Sequence, residues 1–322
     1  MGKFLKICLG IGVICVLLGG VASAAGIHVE DLKGLKNQIL NRKWNLNLGK
    51  NLDIDPFYEL DAQQYFDKEE YVHSNEEIIK EAYEAASMGK IHVKGAGITV
   101  KFLPYDGSEP GLTTGDDIVV RATKSGKYQS FMRENTLYII ASGKSTKEIA
   151  EGLVEIMVPQ KVYDTNQLNV IVEAGAAVID FGEMQAMEVN LELSAGTIEW
   201  SALTAQKLGI NMTAGTVKGE RTAISNSTDV DVKAGVMTLG GVLGAEVNIS
   251  VSAGKTTLDL SHAMEVYNFD LSCAGGSIKL GEISLEGLAK EQEIDNRAAY
   301  NMNVECSAGA VEIKFENESR TR

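Results

Sequence analysis

An Ala-Gly pair that recurs about every 20 residues constrains the fold of this chain more than any other feature of its sequence. Six pairs begin at residues 174, 195, 214, 234, 253 and 274, at intervals of 21, 19, 20, 19 and 21 residues. A seventh begins at residue 308, 34 residues later, which corresponds to one repeat and an insertion. We expect this insertion to be an exposed loop within the charged residues 286–297. A fixed period of this length is the signature of a repeat architecture.

The residues around each pair alternate between apolar and polar, which predicts β-strands. Val247, Ile249 and Val251, for example, precede Ala253-Gly254, and the other repeats follow the same rule of h-x-h-x-A-G-x-h-x-h. Alternation with period two places one face of a strand in the core, whereas a helix needs spacings of three and four. A repeat with two short strands cannot bury its own apolar face, so successive repeats must stack.

The sequence therefore predicts an all-β fold, a parallel β-solenoid (single-stranded β-helix) with coils of about 20 residues. We place this domain at residues 90–317. A glycine at a fixed point of the pattern marks a tight corner where a side chain would clash. These corner glycines are Gly175, Gly196, Gly215, Gly235, Gly254 and Gly309. The predicted outward positions carry Asn190, Glu192, Asn211, Asp229, Asp231, Asn248, Ser250 and Glu305.

The first part of the chain reads as less regular structure. The segment at 91–100 contains Ala96-Gly97 and resembles the repeat core, whereas the strand-like segments at 118–122, 137–140 and 154–158 lack the Ala-Gly pair, as expected for degenerate terminal coils. Residues 26–89 read as a spacer. Within it, residues 75–88 have apolar positions at helical spacing and a candidate N-cap, Asn75, which predicts a short helix capping the solenoid.

Residues 1–25 have the pattern of an export segment. Lys3 and Lys6 precede an uncharged, mostly apolar run at 7–21, and Ala22-Ser23-Ala24 fits a signal-peptide cleavage site. A cleaved signal, a retained membrane anchor and a buried helix all remain open. The first two place the rest of the chain outside the cytoplasm, secreted or anchored, with membrane contact only through this segment.

The charge balance argues against nucleic acid as a partner. The chain has 30 basic and 44 acidic residues, a formal net charge of -14, whereas binding to phosphates needs a basic footprint. An acidic, solvated surface explains the same balance without any partner.

The Ala-Gly coils, the single N-terminal apolar segment and the residues from Lys94 to Val100 (Lys-Gly-Ala-Gly-Ile-Thr-Val) resemble a bacterial family known as putative adhesins. This is a domain of unknown function related to the head domains of autotransporter-like surface proteins. The resemblance covers roughly residues 90–315. It implies an exported or membrane-anchored envelope protein with a binding or scaffolding role. It supplies no catalytic or cofactor-binding residues.

The sequence contains no motif for enzymatic chemistry. The four histidines, His28, His73, His92 and His262, form no metal-binding spacing, and neither a GxSxG nor a Walker motif is present. We expect no catalytic residues, cofactor or metal. Asp229 and Asp231, with polar residues of neighbouring coils, could form an acidic ladder. That ladder could be a weak cation site, a contact for a cationic wall polymer, a carboxylate pair for catalysis, or simply a solvated face.

Cys273 and Cys306 are the two cysteines outside the export segment. If Gly276 rather than Gly275 occupies the repeat glycine position, both cysteines share one inward column on adjacent coils. Their separation of about 4.8 Å would be within reach of a disulfide. A disulfide and a pair of stacked buried thiols both remain open.

The sequence leaves three candidate functions open. The first is a non-enzymatic extracytoplasmic binding protein, adhesin or scaffold, whose partner is an envelope polymer or surface protein. The second is a membrane-anchored accessory of an envelope stress response that binds a protein. The third is a carbohydrate-active β-helix enzyme, which would need two carboxylates about 5–10 Å apart in a cleft.

Overall fold

The structure is a computed structural model that describes residues 78–105, 117–123, 127–143, 146–165 and 167–316. The chain divides into two units, residues 1–70 and 71–322, and all of the described residues belong to the second. The predicted export segment (1–25) and residues 26–77 of the predicted spacer lie outside the described residues. Within the described ranges, no helix is both long enough and apolar enough to cross a membrane.

The described residues form an all-β fold, as the sequence predicts. Two short helices are present, α1 (Thr146–Glu151) and α2 (Gln160–Asp164), with 3-10 turns at Ala85–Ser87 and Met264–Val266. The strands of the first part are β1 (Ile78–Glu84), β2 (Lys90–Ala96), β3 (Thr99–Tyr105), β4 (Asp117–Thr123), β5 (Lys127–Arg133), β6 (Thr136–Ser142) and β7 (Leu153–Pro159). Those of the repeat region are β8 (Asn169–Asp180), β9 (Glu183–Gln185), β10 (Glu188–Met212), β11 (Thr216–Val232), β12 (Val236–Leu243), β13 (Glu246–Val251) and β14 (Lys255–Leu260). The last are β15 (Tyr267–Cys273), β16 (Ser277–Leu280), β17 (Ile283–Glu286), β18 (Lys290–Ile294), β19 (Tyr300–Cys306) and β20 (Ala310–Phe315).

Equivalent residues of the repeats pair with one another in parallel. Ile210, Val230, Ile249 and Val304 are successive register partners across β10, β11, β13 and β19. Around β10 and β11 each repeat contributes three pairing segments, since residues 197–200, 202–205 and 207–212 pair separately with β11. The expectation of two strands per repeat is therefore wrong for these coils. The segment missed in β10 is residues 202–205, where Leu203 and Ala205 are buried.

Apolar side chains of successive repeats line up in the core. One such column holds Ile210, Val230, Ile249, Val304 and Leu271, none of them more than 5% exposed. Fully burying one such side chain contributes about 1.5–3 kcal/mol. Because each of these repeats adds one residue to the column, the burial is shared among the repeats.

The sheet is open and mixed, with antiparallel strands at both ends of the parallel region. Strands β1, β5, β17 and β18 each pair on one side only, with β4, β6, β16 and β15. An open strand edge invites pairing with another chain, and charged side chains oppose this. The outermost strand β18 carries Lys290, Glu291 and Glu293, and these charged side chains oppose pairing of its open edge with another chain.

The predicted capping helix at 75–88 is wrong over its described part. Residues 78–84 form strand β1, antiparallel to β4, and only Ala85–Ser87 are helical, as one 3-10 turn. The apolar spacing of this segment is short enough to suit either structure. Pairing with the free edge of β4 decides the outcome, since tertiary context overrides a weak local preference.

The last two strands lie between strands that precede them in the sequence. β19 pairs with β13 on one side and β15 on the other, and β20 pairs with β14 and β16 in the same way. The insertion within the 34-residue interval is therefore not one exposed loop. Its residues form β17 and β18, which add antiparallel strands outside β16 and β15. The expectation of an exposed loop at 286–297 is corrected accordingly.

Candidate functional site

Five of the six predicted corner glycines form one stack, which begins at Gly196 and excludes Gly175. A methyl group built on Gly215 would lie 2.5 Å from the carbonyl oxygen of Gly196, and one on Gly309 would lie 2.5 Å from that of Gly254. Gly235 and Gly254 make similar contacts with the glycine one coil earlier. Gly196 instead faces Ala177, because the register between β8 and β10 shifts at this point. Gly175 pairs with Ala195 and lies outside the stack.

Cys273 and Cys306 are direct register partners on β15 and β19, and both are buried free thiols. Gly276, not Gly275, continues the glycine stack, because a side chain on it would clash with Gly309. Burial raises the pKa of Cys306, although backbone N–H groups of Gly309 and Ser277 oppose the shift. The structure thus has the stacked buried thiols, and a disulfide between the two cysteines stays a prediction.

The outward side chains of six neighbouring strand segments form a regular polar surface, which we call the ladder face. The segments are residues 188–193 and 207–212 of β10, residues 227–232 of β11, and then β13, β19 and β15. Row one holds Glu188, Lys207, Ser227, Glu246, Asn301 and Asn268. Row two holds Asn190, Gly209, Asp229, Asn248, Asn303 and Asp270. Row three holds Glu192, Asn211, Asp231, Ser250, Glu305 and Ser272.

Side-chain amides in row two form a directed hydrogen-bond ladder. Asn303 Nδ2 donates to Asn248 Oδ1 over 2.8 Å, and Asn248 Nδ2 donates to Asp229 Oδ1 over 2.8 Å. Asn248 thus accepts from one neighbour and donates to the other, which fixes the orientation of its amide. The ladder therefore ends on a carboxylate and holds it in place.

Row one contains a second ladder that runs in the same direction. Asn268 Nδ2 donates to Asn301 Oδ1 over 3.1 Å, and Asn301 Nδ2 donates to Glu246 Oε1 over 2.9 Å. The two ladders lie side by side. Together they fix polar groups at intervals of one coil, about 4.8 Å.

A groove of about 850 Å³ runs along rows two and three. Its polar lining includes Asn190, Glu192, Asn211, Asp229, Asp231, Asn248, Asp270, Asn303 and Glu305. A smaller depression of about 360 Å³ next to it shares Asp270 and Asn303 and adds Glu246, Glu293 and Asp295. The groove is built by strands rather than by loops, so its groups are held at the spacing of the sheet.

Carboxylates dominate the ladder face. Its three rows contain one cation, Lys207, against seven carboxylates: Glu188, Glu192, Asp229, Asp231, Glu246, Asp270 and Glu305. In the described part of the chain, none of the seven takes part in an ion pair. Five of the seven are exposed and two, Glu188 and Asp231, are half-buried, and carboxylates in this number attract cationic groups.

A neighbouring face of the same repeats has balanced charge. One row across β3, β8, β10, β11, β12, β14, β20 and β16 holds Lys101, Asp180, Glu199, Lys218, Thr238, Thr257, Glu312 and Lys279. Here Lys279 Nζ lies 3.5 Å from Glu312 Oε1. This row is thus balanced in charge, whereas the three rows of the ladder face together are acidic.

The described histidines lie outside the groove lining. His92 Nε2 lies 2.6 Å from Glu173 Oε1, which Lys94 Nζ also approaches at 3.1 Å. The ring of His262 lies 5.7 Å from that of Tyr300. Among the described residues, no group of three or more histidine, cysteine or acidic side chains is placed to hold a metal ion.

Sequence reasoning identifies the polar residues of β10, β11 and β13 but misses most of their partners on β15 and β19. Asn268, Asp270, Asn301 and Asn303 belong to the same rows. Their alternation with buried residues is a sufficient signal that they face outward. Their neighbours could not be predicted, because β19 lies between β13 and β15.

Solved structures that this chain distantly resembles include two described as adhesion proteins. A putative cell adhesion protein from Clostridium sporogenes ATCC 15579 has a TM-score of 0.31 and 13% identity, covering 74% of this chain and 99% of its own. A putative adhesin from Bacteroides fragilis NCTC 9343 has a TM-score of 0.40 and 12% identity, covering 74% of this chain and 98% of its own. No protein-family model and no curated protein matches this chain.

Proposed function

We propose that this protein is a non-enzymatic, extracytoplasmic binding protein of the cell envelope, of the adhesin or scaffold type. In this proposal the repeats form a parallel β-solenoid and the ladder face is the contact surface. The partner is an envelope polymer or a surface protein. Residues 1–25 direct export or anchor the chain.

The observation that carries the proposal is the strand-built groove along rows two and three. Repeat proteins use extended surfaces of this kind to contact long partners, because each coil repeats the same polar groups. Carboxylates, amides and hydroxyls supply the polar side chains of its lining, with no histidine, lysine or cysteine among them. These groups suit hydrogen bonding and charge recognition.

Sedimentation with isolated cell envelopes, split into wall and membrane fractions, tests the proposal. The protein without residues 1–25 is incubated with each fraction, and the bound amount is measured against concentration. We expect saturable binding that weakens in the double variant Asp231→Asn/Glu305→Gln. The matched control is Glu199→Gln/Asp259→Asn, which removes two exposed carboxylates on the neighbouring face.

The outcomes separate the candidate functions. Saturable binding that only the ladder-face variant weakens supports the proposal. Binding that both variants weaken equally contradicts a role for the ladder face. If neither fraction binds the shortened protein and the full chain is retained in membranes, the anchored accessory with a protein partner is favoured instead.

A further inference from the structure

We infer that the ladder face accepts an extended basic segment of another protein, with a lysine or arginine at every third residue. This inference rests on the function proposed above and names the class of partner. Three observations support it: the uncompensated charge of the face, the orientation of its amide ladders and the spacing of its carboxylates.

Charge selects a cationic partner over a neutral one. Seven carboxylates face one lysine on this surface, whereas three lysines and three carboxylates share one row of the neighbouring face. Among the described residues, Glu192, Asp231 and Glu305 in row three have neither an ion pair nor a side-chain hydrogen bond. A cationic segment would supply the opposite charges that the fold itself does not provide.

The amide ladders leave acceptors unmatched where row two meets β15. Asn303 donates to Asn248, so its Oδ1 lies on the side of its other neighbour, Asp270. A carboxylate cannot donate a hydrogen bond to that oxygen. An ammonium or guanidinium group placed between the two could donate to both. The row-two ladder thus favours a partner rich in donors at this end of the face.

The spacing of row three selects the conformation of the segment. In spatial order its residues are Glu192, Asn211, Asp231, Ser250, Glu305 and Ser272, so a carboxylate occurs in every second coil. Two coils correspond to about 9.6 Å. One turn of polyproline II helix has three residues and rises about 9.3 Å.

Three basic side chains on one edge of such a segment therefore match Glu192, Asp231 and Glu305 in turn. Over the two intervals the mismatch accumulates to only about 0.6 Å. In a β-strand, side chains on one face are about 6.6 Å apart, which does not match the row. The threading of β19 creates this spacing, because sequence order would put Ser272 between Ser250 and Glu305.

Two synthetic peptides of equal length and charge test the inference by fluorescence anisotropy with the full chain. The first repeats Lys-Ala-Pro four times. The second repeats Lys-Pro four times and ends in two Ala-Pro units, so its lysines are two residues apart. We expect the first to bind at least about threefold more tightly, the binding to weaken as salt is raised, and Asp231→Asn/Glu305→Gln to remove that preference. Glu199→Gln/Asp259→Asn should leave it unchanged.

Equal affinity for the two peptides overturns the inference, because it would show attraction without a match in spacing. So does a preference that survives in Asp231→Asn/Glu305→Gln. A chitosan oligosaccharide that binds where neither peptide does would assign the face to an amino-sugar polymer instead. Envelope sedimentation with the same variants separates the two proposals. Envelope binding that needs the ladder face, without peptide binding, leaves the proposed function intact and rejects only the basic segment.

Discussion

Replacing Gly215 by alanine tests whether the glycine stack sets the coil spacing. The added methyl group would lie 2.5 Å from Gly196 O, 3.0 Å from Gly196 N and 3.1 Å from Leu193 Cδ2. Two of these atoms belong to the backbone and cannot rotate away. The φ angle of Gly215 is also +115°, which side chains of L-residues disfavour.

The expected loss of stability combines two contributions. An unfavourable backbone conformation costs about 1–3 kcal/mol. Overpacking adds about 1–3 kcal/mol to this cost. The alanine also reduces the entropy of the unfolded chain, which stabilises the fold and offsets about 0.4–1 kcal/mol. We therefore expect Gly215→Ala to lower the free energy of unfolding by about 2–5 kcal/mol.

Two other glycines separate these contributions in urea denaturation curves. Gly287 has φ +99° and no atom within 4 Å of its added methyl group, so Gly287→Ala reports the backbone strain alone. Gly89 also has open space, without a positive φ, so Gly89→Ala should be neutral or slightly stabilising. If Gly215→Ala costs no more than Gly287→Ala, close stacking of the coils is not the reason for glycine at this position.

Three further changes test the interior. Thr256→Val should stabilise the fold by about 1 kcal/mol, because it removes a buried hydroxyl with no partner among the described residues. Thr228→Val should instead cost about 1 kcal/mol, because the Thr228 hydroxyl donates to a backbone carbonyl over 2.6 Å. Denaturation curves of the two variants measure both changes. Burial raises the pKa of Glu173, but hydrogen bonds from His92 and Lys94 outweigh it and hold the pKa below its ordinary value. Its ionised form therefore stabilises the fold above about pH 4.5. Glu173→Gln should lower the free energy of unfolding at about pH 7, and this loss of stability should shrink as the pH falls below about 4.5. Equal losses of stability at about pH 7 and pH 3 would contradict this. A thiol titration of residues 26–322 in denaturant without reductant should find two groups if Cys273 and Cys306 are stacked thiols and none if they form a disulfide.

Most of the strands in the repeat region can be predicted from the repeat pattern alone. Alternation around each Ala-Gly pair predicts the strands, because one side chain per two residues must enter the core, and the position of each glycine follows from the clash that any side chain would cause. The alternation alone is therefore enough to place Asp229 and Asn248 on one outward face. The opening segment at 78–84 could not be assigned, since its pattern fits a helix and only the available edge of β4 makes it a strand.

The spatial order of the coils is not encoded in the repeat pattern. All coils share one template, so any of them can stack on any other without changing which residues are buried. β19 follows the same rule as β15, and nothing in either strand shows which one lies beside β13. For the same reason, the spacing of Glu305 from Asp231 depends on the threading and does not follow from the repeat.

The position of β19 and β20 has a consequence for how the chain reaches this state during synthesis. Among the described layers, the one synthesised last is an interior one, so growth from the N-terminus cannot complete the stack in order. Until residues 300–315 are released, the strands on both sides of that layer have unpaired backbone groups, which are open to pairing with other chains. A chain that stops shortly before residue 300 would lack this interior layer, so β15 and β16 would lose the strands with which they pair in parallel. Residues 300–315 therefore close the stack, although they do not form its end.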